Sequence, residues 1–255
     1  GLTNSPTVFI RGIGQQDFVI NTDPAVGIYV DGVFIARSIG SMLDVMDLER
    51  AEVLRGPQGT LYGAGSIGGT IKFISNSPDL EEVGGSLSVG FSSIDDGSDG
   101  HKDSGVFNLP IIEGKLAVRI AASTEDIAGW IDNTTTGETD SNAAVRDFVR
   151  TKVLFQPNES FNASLMWMKY DFEQDNNNHE RSESGFDLLN VDDRGATSER
   201  TVDTPFATPV TDEWSLVNLI LNYETESGAN VISSTGYLDR TMNFHSEVAN
   251  AFFPP

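Results

Sequence analysis

The sequence predicts a mainly β protein in two parts: a small α+β unit over residues 1–80, then antiparallel transmembrane β-barrel strands over residues 81–255. Three observations predict it. Up to Pro78 the chain is a series of short apolar runs punctuated by glycines and turn residues. Past Pro78, apolar and polar residues alternate with a period of two along successive segments. The connections between those segments also alternate, short then long, as they do in a barrel with turns on one side of a membrane and loops on the other.

Within the first part, Gly27 to Ala36 reads as a β-hairpin closed by an Asp31-Gly32 turn. Ala51 to Leu54 reads as a strand, and Pro57 suits the first position of a short helix over roughly Pro57 to Leu61. Gly63-Ala64-Gly65-Ser66-Ile67-Gly68 spells G-x-G-x-x-G, the pattern of a dinucleotide-binding turn. That turn needs a helix opening on its glycines so that the helix N-terminus faces the pyrophosphate. Gly69 to Ile74 is instead β-branched and aromatic, and Ser75-Asn76-Ser77-Pro78 ends it, so a strand follows. Glu81-Glu82 sits near the spacing of a ribose ligand, but beyond the proline break. Ser66 nearly sits in a nucleophile elbow, yet the first glycine is missing and again no helix follows. No enzyme is predicted; the glycines serve positive φ and close backbone approach.

In the second part, Leu87, Val89 and Phe91 share one face of Ser86 to Phe91. Leu116, Val118, Ile120 and Ala122 lie opposite Arg119, and Val145, Val149, Val153 and Phe155 lie opposite Arg146, Arg150 and Lys152. Val217, Leu219, Leu221 and Tyr223 lie opposite Asn218 and Asn222. An apolar face toward lipid and a polar face toward a wet lumen account for this. Phe161 to Phe172 alternates poorly, with Met166, Trp167, Met168 and Tyr170 apolar on both faces, as expected of a strand whose inner face packs on the first unit. Short connections are expected at Pro110 to Lys115, Pro157 to Ser160 and Thr225 to Ala229. Long ones are expected at Ser92 to His101, Glu125 to Asn142 and Glu173 to Val210, and these carry much of the acid. Trp130, Trp167 and Trp214 fit an interfacial girdle or ligand contacts, the girdle being the commoner use.

Bulk properties narrow the classes. The chain has 255 residues, 38 acidic against 16 basic, and a formal charge of −22, which argues against nucleic acid as a partner. It has no cysteine, hence no disulfide or thiolate chemistry. No apolar run is long enough for a membrane-spanning helix, and Gly1-Leu2-Thr3-Asn4 is no signal peptide, so an exported protein would be present here as a mature form or a fragment. His101, His179 and His245 are isolated and read as loop residues. Asp95 to Gly100 is acidic but misses the EF-hand pattern, so no metal site or cofactor is predicted.

The ordered set Phe9-Ile10-Arg11-Gly12, Val30-Asp31-Gly32-Val33, Leu48 to Gly63 (LERAEVLRGPQGTLYG) and Ile67-Gly68-Gly69-Thr70-Ile71 closely resembles the plug domain of TonB-dependent outer-membrane receptors. Ala64-Gly65-Ser66 departs from the Arg-Asn that many members carry before Ile-Gly-Gly. The resemblance implies a plug over 1–80, its N-terminal part missing, and the N-terminal part of the barrel over 81–255. About seven strands would be present, between Gly85 and Phe244, of a likely 22. It also implies residence in the outer membrane of a Gram-negative bacterium, among lipid and lipopolysaccharide. The implied function is active import of a scarce bulky nutrient, energised by periplasmic TonB. A ferric siderophore is the leading cargo; cobalamin, haem, an oligosaccharide, or a non-transporting receptor or adhesin are the alternatives. The resemblance further implies that Arg11 and Arg55, with Glu52 beside them, pair with carboxylates of the barrel wall, most of them past Pro255. Gly12, Gly32, Gly56, Gly59, Gly63, Gly68 and Gly69 are the implied structural glycines. Ligand contacts are not assigned.

Overall fold

A computed structural model of the chain describes residues 8–14, 24–36, 46–63, 65–176, 200–202 and 207–245. In the N-terminal unit, β1 (Phe9–Ile10) and β2 (Ile13–Gly14) form a minimal hairpin. A four-stranded sheet follows, built from β3 (Val26–Val30), β4 (Val33–Ile35), β5 (Leu48–Arg55) and β6 (Gly69–Ser75) in the order β4-β3-β6-β5. Strands β3 and β6 are parallel, whereas β3–β4 and β5–β6 are antiparallel. The predicted hairpin turn is present: Asp31 and Gly32 have φ of 46° and 88°, the double positive φ that fits a two-residue turn to the twist of its strands. Gly69 shows the other use of glycine. A Cβ there would stand 2.3 Å from the Leu54 carbonyl oxygen, so β5 and β6 can start their ladder only over a bare backbone.

The one-turn helix α1 spans Gly59–Tyr62, not Pro57–Leu61. Gln58, at φ −117°, is the residue before the helix, and its carbonyl accepts from the Leu61 and Tyr62 N–H groups. Pro57 therefore lies outside the helix. Tyr62 packs edge-on against Tyr29, whose hydroxyl donates to the Tyr62 carbonyl at 2.7 Å and ties α1 to the sheet.

Seven long strands form one antiparallel sheet, here called the wall: β7 (Gly84–Ser93), β8 (Asp99–Ile112), β9 (Leu116–Ile127), β11 (Ala144–Asn158), β12 (Phe161–Gln174), β14 (Val210–Glu224) and β15 (Asn230–Phe244). Each pairs with its neighbour in the chain, an up-and-down meander. Two short pieces, β10 (Asp132–Asn133) and β13 (Thr201–Val202), pair with each other in the loops beyond one end. Strand number and alternation match the sequence expectation. One connection does not: residues 92–101 are no long loop. β7 and β8 continue to Ser93 and from Asp99, with a tight turn between them; Asp96 adopts φ 54° and Gly97 passes close to the Gly129 carbonyl. His101 accordingly lies in a strand, against Phe91 and 3.3 Å from Asp103, rather than in a loop.

The two faces of the wall differ as predicted. Leu87, Val89, Phe107, Leu165 and Leu219 are exposed on the outer face. The inner face carries the core, where Phe148, Met166, Met168, Tyr170, Phe172 and Leu216 pack with Ile28, Val30 and Ile35 of the N-terminal unit. That contact explains β12. Its inner residues are apolar because they meet the β3–β4 hairpin, and its outer residues Leu165 and Trp167 stand exposed on the face the sequence assigns to lipid. Trp214 is inward and buried against Tyr170, with ring centroids 5.6 Å apart, so it is not a girdle residue.

Candidate functional site

The N-terminal unit is held to the wall by two buried aspartates. Asp31 is put in place by the hairpin turn. Its Oδ1 accepts the Ser75 N–H at 2.9 Å and its Oδ2 the Ser75 hydroxyl at 2.5 Å, fixing the hairpin to the end of β6. Lys152 reaches inward from β11, donates to the Ser75 carbonyl at 3.0 Å, and lies 3.3 Å from Asp31 Oδ2. Asn218 of β14 donates to the Asp31 carbonyl at 2.8 Å. On β15, Gly236 leaves the space into which Val33 fits; a Cβ there would lie 2.7 Å from a Val33 methyl.

Asp47, just before β5, makes the second anchor. Arg119 of β9 donates to both its carboxylate oxygens, at 2.8 and 2.6 Å. This is the two-toothed geometry that arginine offers and lysine cannot. Arg150 of β11 donates to the carbonyls of Met46 and Asp47, each at 2.9 Å, and its guanidinium stacks over Phe148. Asn76 donates to Asp47 Oδ1 at 2.8 Å. Burial pushes the Asp47 carboxyl up, but the hydrogen bonds of Arg119 and Asn76 and the charges of Arg119 and Arg150 outweigh it and hold the group below the usual carboxylate range. The side chains of Asp31, Asp47, Arg150 and Lys152 are all less than a tenth exposed. At such burial an unpaired charge is costly, so each side depends on the other.

The linker between the two parts is fastened as well. Asn108, buried on the inner face of β8, accepts the Asp79 N–H and donates to the carbonyls of Asp79 and Glu82. Asp79 in turn accepts the Glu81 and Glu82 N–H groups, which lower its pKa.

The residues singled out from the sequence lie elsewhere. Arg11 is exposed in the β1–β2 turn, and Arg55 is exposed at the end of β5. Glu52 bonds to Lys72 at 2.7 Å and to Arg50 at 2.8 Å, bridging β5 and β6 within the sheet, and those two donors lower its pKa. Gly12, Gly56 and Gly63 have positive φ in turns, Gly59 opens α1, and Gly68 passes against Ile13. Sequence reasoning missed Asp31, Asp47, Arg119, Arg150 and Lys152 as a group. The available signal was the cationic face of residues 144–158: buried arginine and lysine demand anions opposite them.

Farther along the inner face, Glu125 bridges Lys102 and Arg146, and Arg240 grips Asp212 with two bonds of 2.7 and 2.8 Å. The loops at that end are knit together. Asn142 accepts the Trp130 and Ile131 N–H groups, Ser98 bonds to Gly129, and Arg200 bonds to the Asp95 carbonyl. Among the described residues no three His, Asp or Glu side chains converge as metal ligands do. His179 and the acids of 177–199 lie outside the described residues.

Residues 1–70 match the family model described as TonB-dependent Receptor Plug Domain. The pesticin receptor of Yersinia pestis is 33% identical over 156 residues, which are 60% of this chain and 22% of that receptor. The vitamin B12 transporter BtuB of Vibrio vulnificus is 28% identical over 172 residues, 66% of this chain and 26% of BtuB. In fold, the chain resembles the ferric yersiniabactin uptake receptor FyuA of Yersinia pestis with a TM-score of 0.68 at 22% identity, covering 88% of this chain and 34% of FyuA. It resembles the ferripyoverdine receptor of the Pseudomonas aeruginosa outer membrane with a TM-score of 0.67 at 20% identity, covering 91% of this chain and 28% of that one. The chain thus spans about a quarter of the length of the curated relatives it matches.

Proposed function

We propose that this chain, a TonB-dependent receptor plug domain joined to barrel strands of the same family, belongs to an outer-membrane importer whose plug blocks the lumen until ligand and TonB release it. The observation that carries the reading is the seam: a folded unit seated on the lumenal face of membrane-type strands, fixed by Asp31 to Lys152 and by Asp47 to Arg119 and Arg150. Such contacts are strong enough to close a pore and, being polar, can be exchanged for water when the plug shifts. The work comes from the inner membrane through TonB, and no covalent chemistry is involved.

A ferric siderophore is the cargo best supported, since FyuA and the ferripyoverdine receptor are named for such ligands. Cobalamin is the second reading, favoured by the likeness to BtuB. Arg11 and Arg55 are assigned to wall carboxylates outside the described sheet. An Arg55→Gln variant with unaltered transport and plug protease resistance counts against that assignment.

The test is uptake of radiolabelled ferric chelates and cobalamin by cells carrying the full-length receptor, with and without TonB. Accumulation of an iron chelate only when TonB is present is the expected result. Binding without accumulation makes the protein a receptor alone, and accumulation that ignores TonB removes active import.

A further inference from the structure

Charge along the wall strands is sorted by face. Of their lysines and arginines, all but Lys169 stand at inward positions, among them Arg119, Arg146, Arg150, Lys152 and Arg240. The acids Asp103, Asp126, Asp147, Asp171, Glu213 and Asp239 stand at outward positions. A chain of net charge −22 therefore turns a cationic face to its lumen.

The inward cations fall into two groups. Lys102, Arg146 and Arg240 are paired with the wall's own Glu125 and Asp212. Arg119, Arg150 and Lys152 are paired instead with Asp31 and Asp47 of the plug. Arg119 and Lys152 stand directly opposite each other on β9 and β11, and Arg150 is the next inward residue of β11. Like charges directly opposite on paired strands repel, so this trio is stable only with anions against it. The linker's Asp79 also sets its charge near Arg119, but its Oδ1 accepts bonds from the Glu81 and Glu82 amides of the linker, not from the trio. When the plug aspartates leave, the trio is a vacant anion site on the lumen wall. Sealing alone does not call for it: on the next strand Met166 and Met168 pair with Lys152 and Arg150 and are buried equally well without charge.

We propose that Arg119, Arg150 and Lys152 form a transit site for anionic cargo, such as a ferric complex bearing free carboxylates, covered at rest by Asp31 and Asp47 and uncovered when the plug moves. The proposal rests on the import reading. Release of the plug and passage of cargo then become an exchange of anions on one set of cations. Rows of arginine and lysine select anions in other pores by the same electrostatics. The outward acids oppose this little, because they stand across the wall and on other rungs: Asp147, the outward acid of β11, is three residues, about 10 Å, along the strand from Arg150.

The test needs neither TonB nor the natural ligand, so its failure is separate from failure of the import reading. Full-length receptor is placed in a planar bilayer, the plug is loosened with urea, and potassium chloride current is recorded with citrate as the probe anion. Citrate is expected to block the open pore. Replacing Arg119, Arg150 and Lys152 together by glutamine is expected to raise the half-blocking citrate concentration about tenfold or more, equivalent to about 1.4 kcal/mol. Arg119→Lys with Arg150→Lys keeps the charge and is expected to keep the block. Asp31→Asn with Asp47→Asn leaves the wall intact; it is expected to open at lower urea with citrate block unchanged, which provides the reading if the glutamine variant does not fold. Current insensitive to citrate, block unchanged by the glutamine substitutions, or block lost in the double asparagine variant overturns the proposal.

Discussion

Arg150 and Met168 are cross-strand partners on β11 and β12, both on the inner face of the wall and both buried, at 3% and 1% exposure. One is a cation and the other a thioether. The difference lies in what each meets. Arg150 faces the carbonyls of Met46 and Asp47 and the Asp47 carboxylate, a polar edge of the plug. Met168 belongs to the cluster around Ile28, Val30 and Ile35, the apolar side of the β3–β4 hairpin. Inward residues of the wall are thus chosen by the surface of the N-terminal unit opposite them, not by one uniform environment.

Substitutions can break that contrast. Arg150→Met makes the two positions alike and leaves plug acceptors without their donor. The plug in folded receptor is expected to lose about 3–5 kcal/mol of seating, the cost of a broken buried pair. Limited proteolysis across a urea series measures it, and an unshifted midpoint contradicts the role given to Arg150. On the opposite face of β12, Leu165→Arg is expected to cost about 2–4 kcal/mol of barrel stability in bilayers, because the side chain enters hydrocarbon. If folding titrations into vesicles show no loss, Leu165 does not face lipid.

Met168→Leu, by contrast, nearly conserves volume and is expected to cost less than about 1.5 kcal/mol in the same proteolysis assay. The smallest effect is that of pH. Because the folded-state pKa of Asp47 is lowered, its contribution is fully present above the unfolded value, near about 3.9, and is lost as pH falls through the lower folded value. Plug protease resistance is therefore expected to be flat from neutral pH down to about 5 as far as Asp47 is concerned; a loss near pH 6 that Asp47→Asn abolishes contradicts the lowered pKa.

The same contrast marks how far the sequence could be read. Gly27 to Ala36 and the alternation of β9, β11 and β14 were legible because turn chemistry and a two-sided environment leave local patterns. β12 is ambiguous since its inward face meets another apolar surface while its outward Leu165 and Trp167 are apolar too, so no polar face remains to mark the alternation. The seam was hidden for a different reason. Asp31 already had a local explanation in its turn with Gly32, and Asp47 sits in a stretch without periodicity, so neither advertised a partner more than a hundred residues away. The turn at 94–98 was overestimated in length because its acidic, glycine-rich composition looks like loop, whereas ladder pairing carries Asp99 and Gly100 into β8.

The bonds from Asn108 to Asp79 and Glu82 give the linker the character of a moored rope. Tension applied upstream of Val26 would reach that mooring through β3 and β6, which run parallel and are joined side by side from Val26–Gly69 to Val30–Phe73. Pulled at the start of one strand and held at the finish of the other, such a pair is stretched lengthwise, and its rungs must yield together. A hairpin tugged at one end, like β3–β4, parts rung by rung.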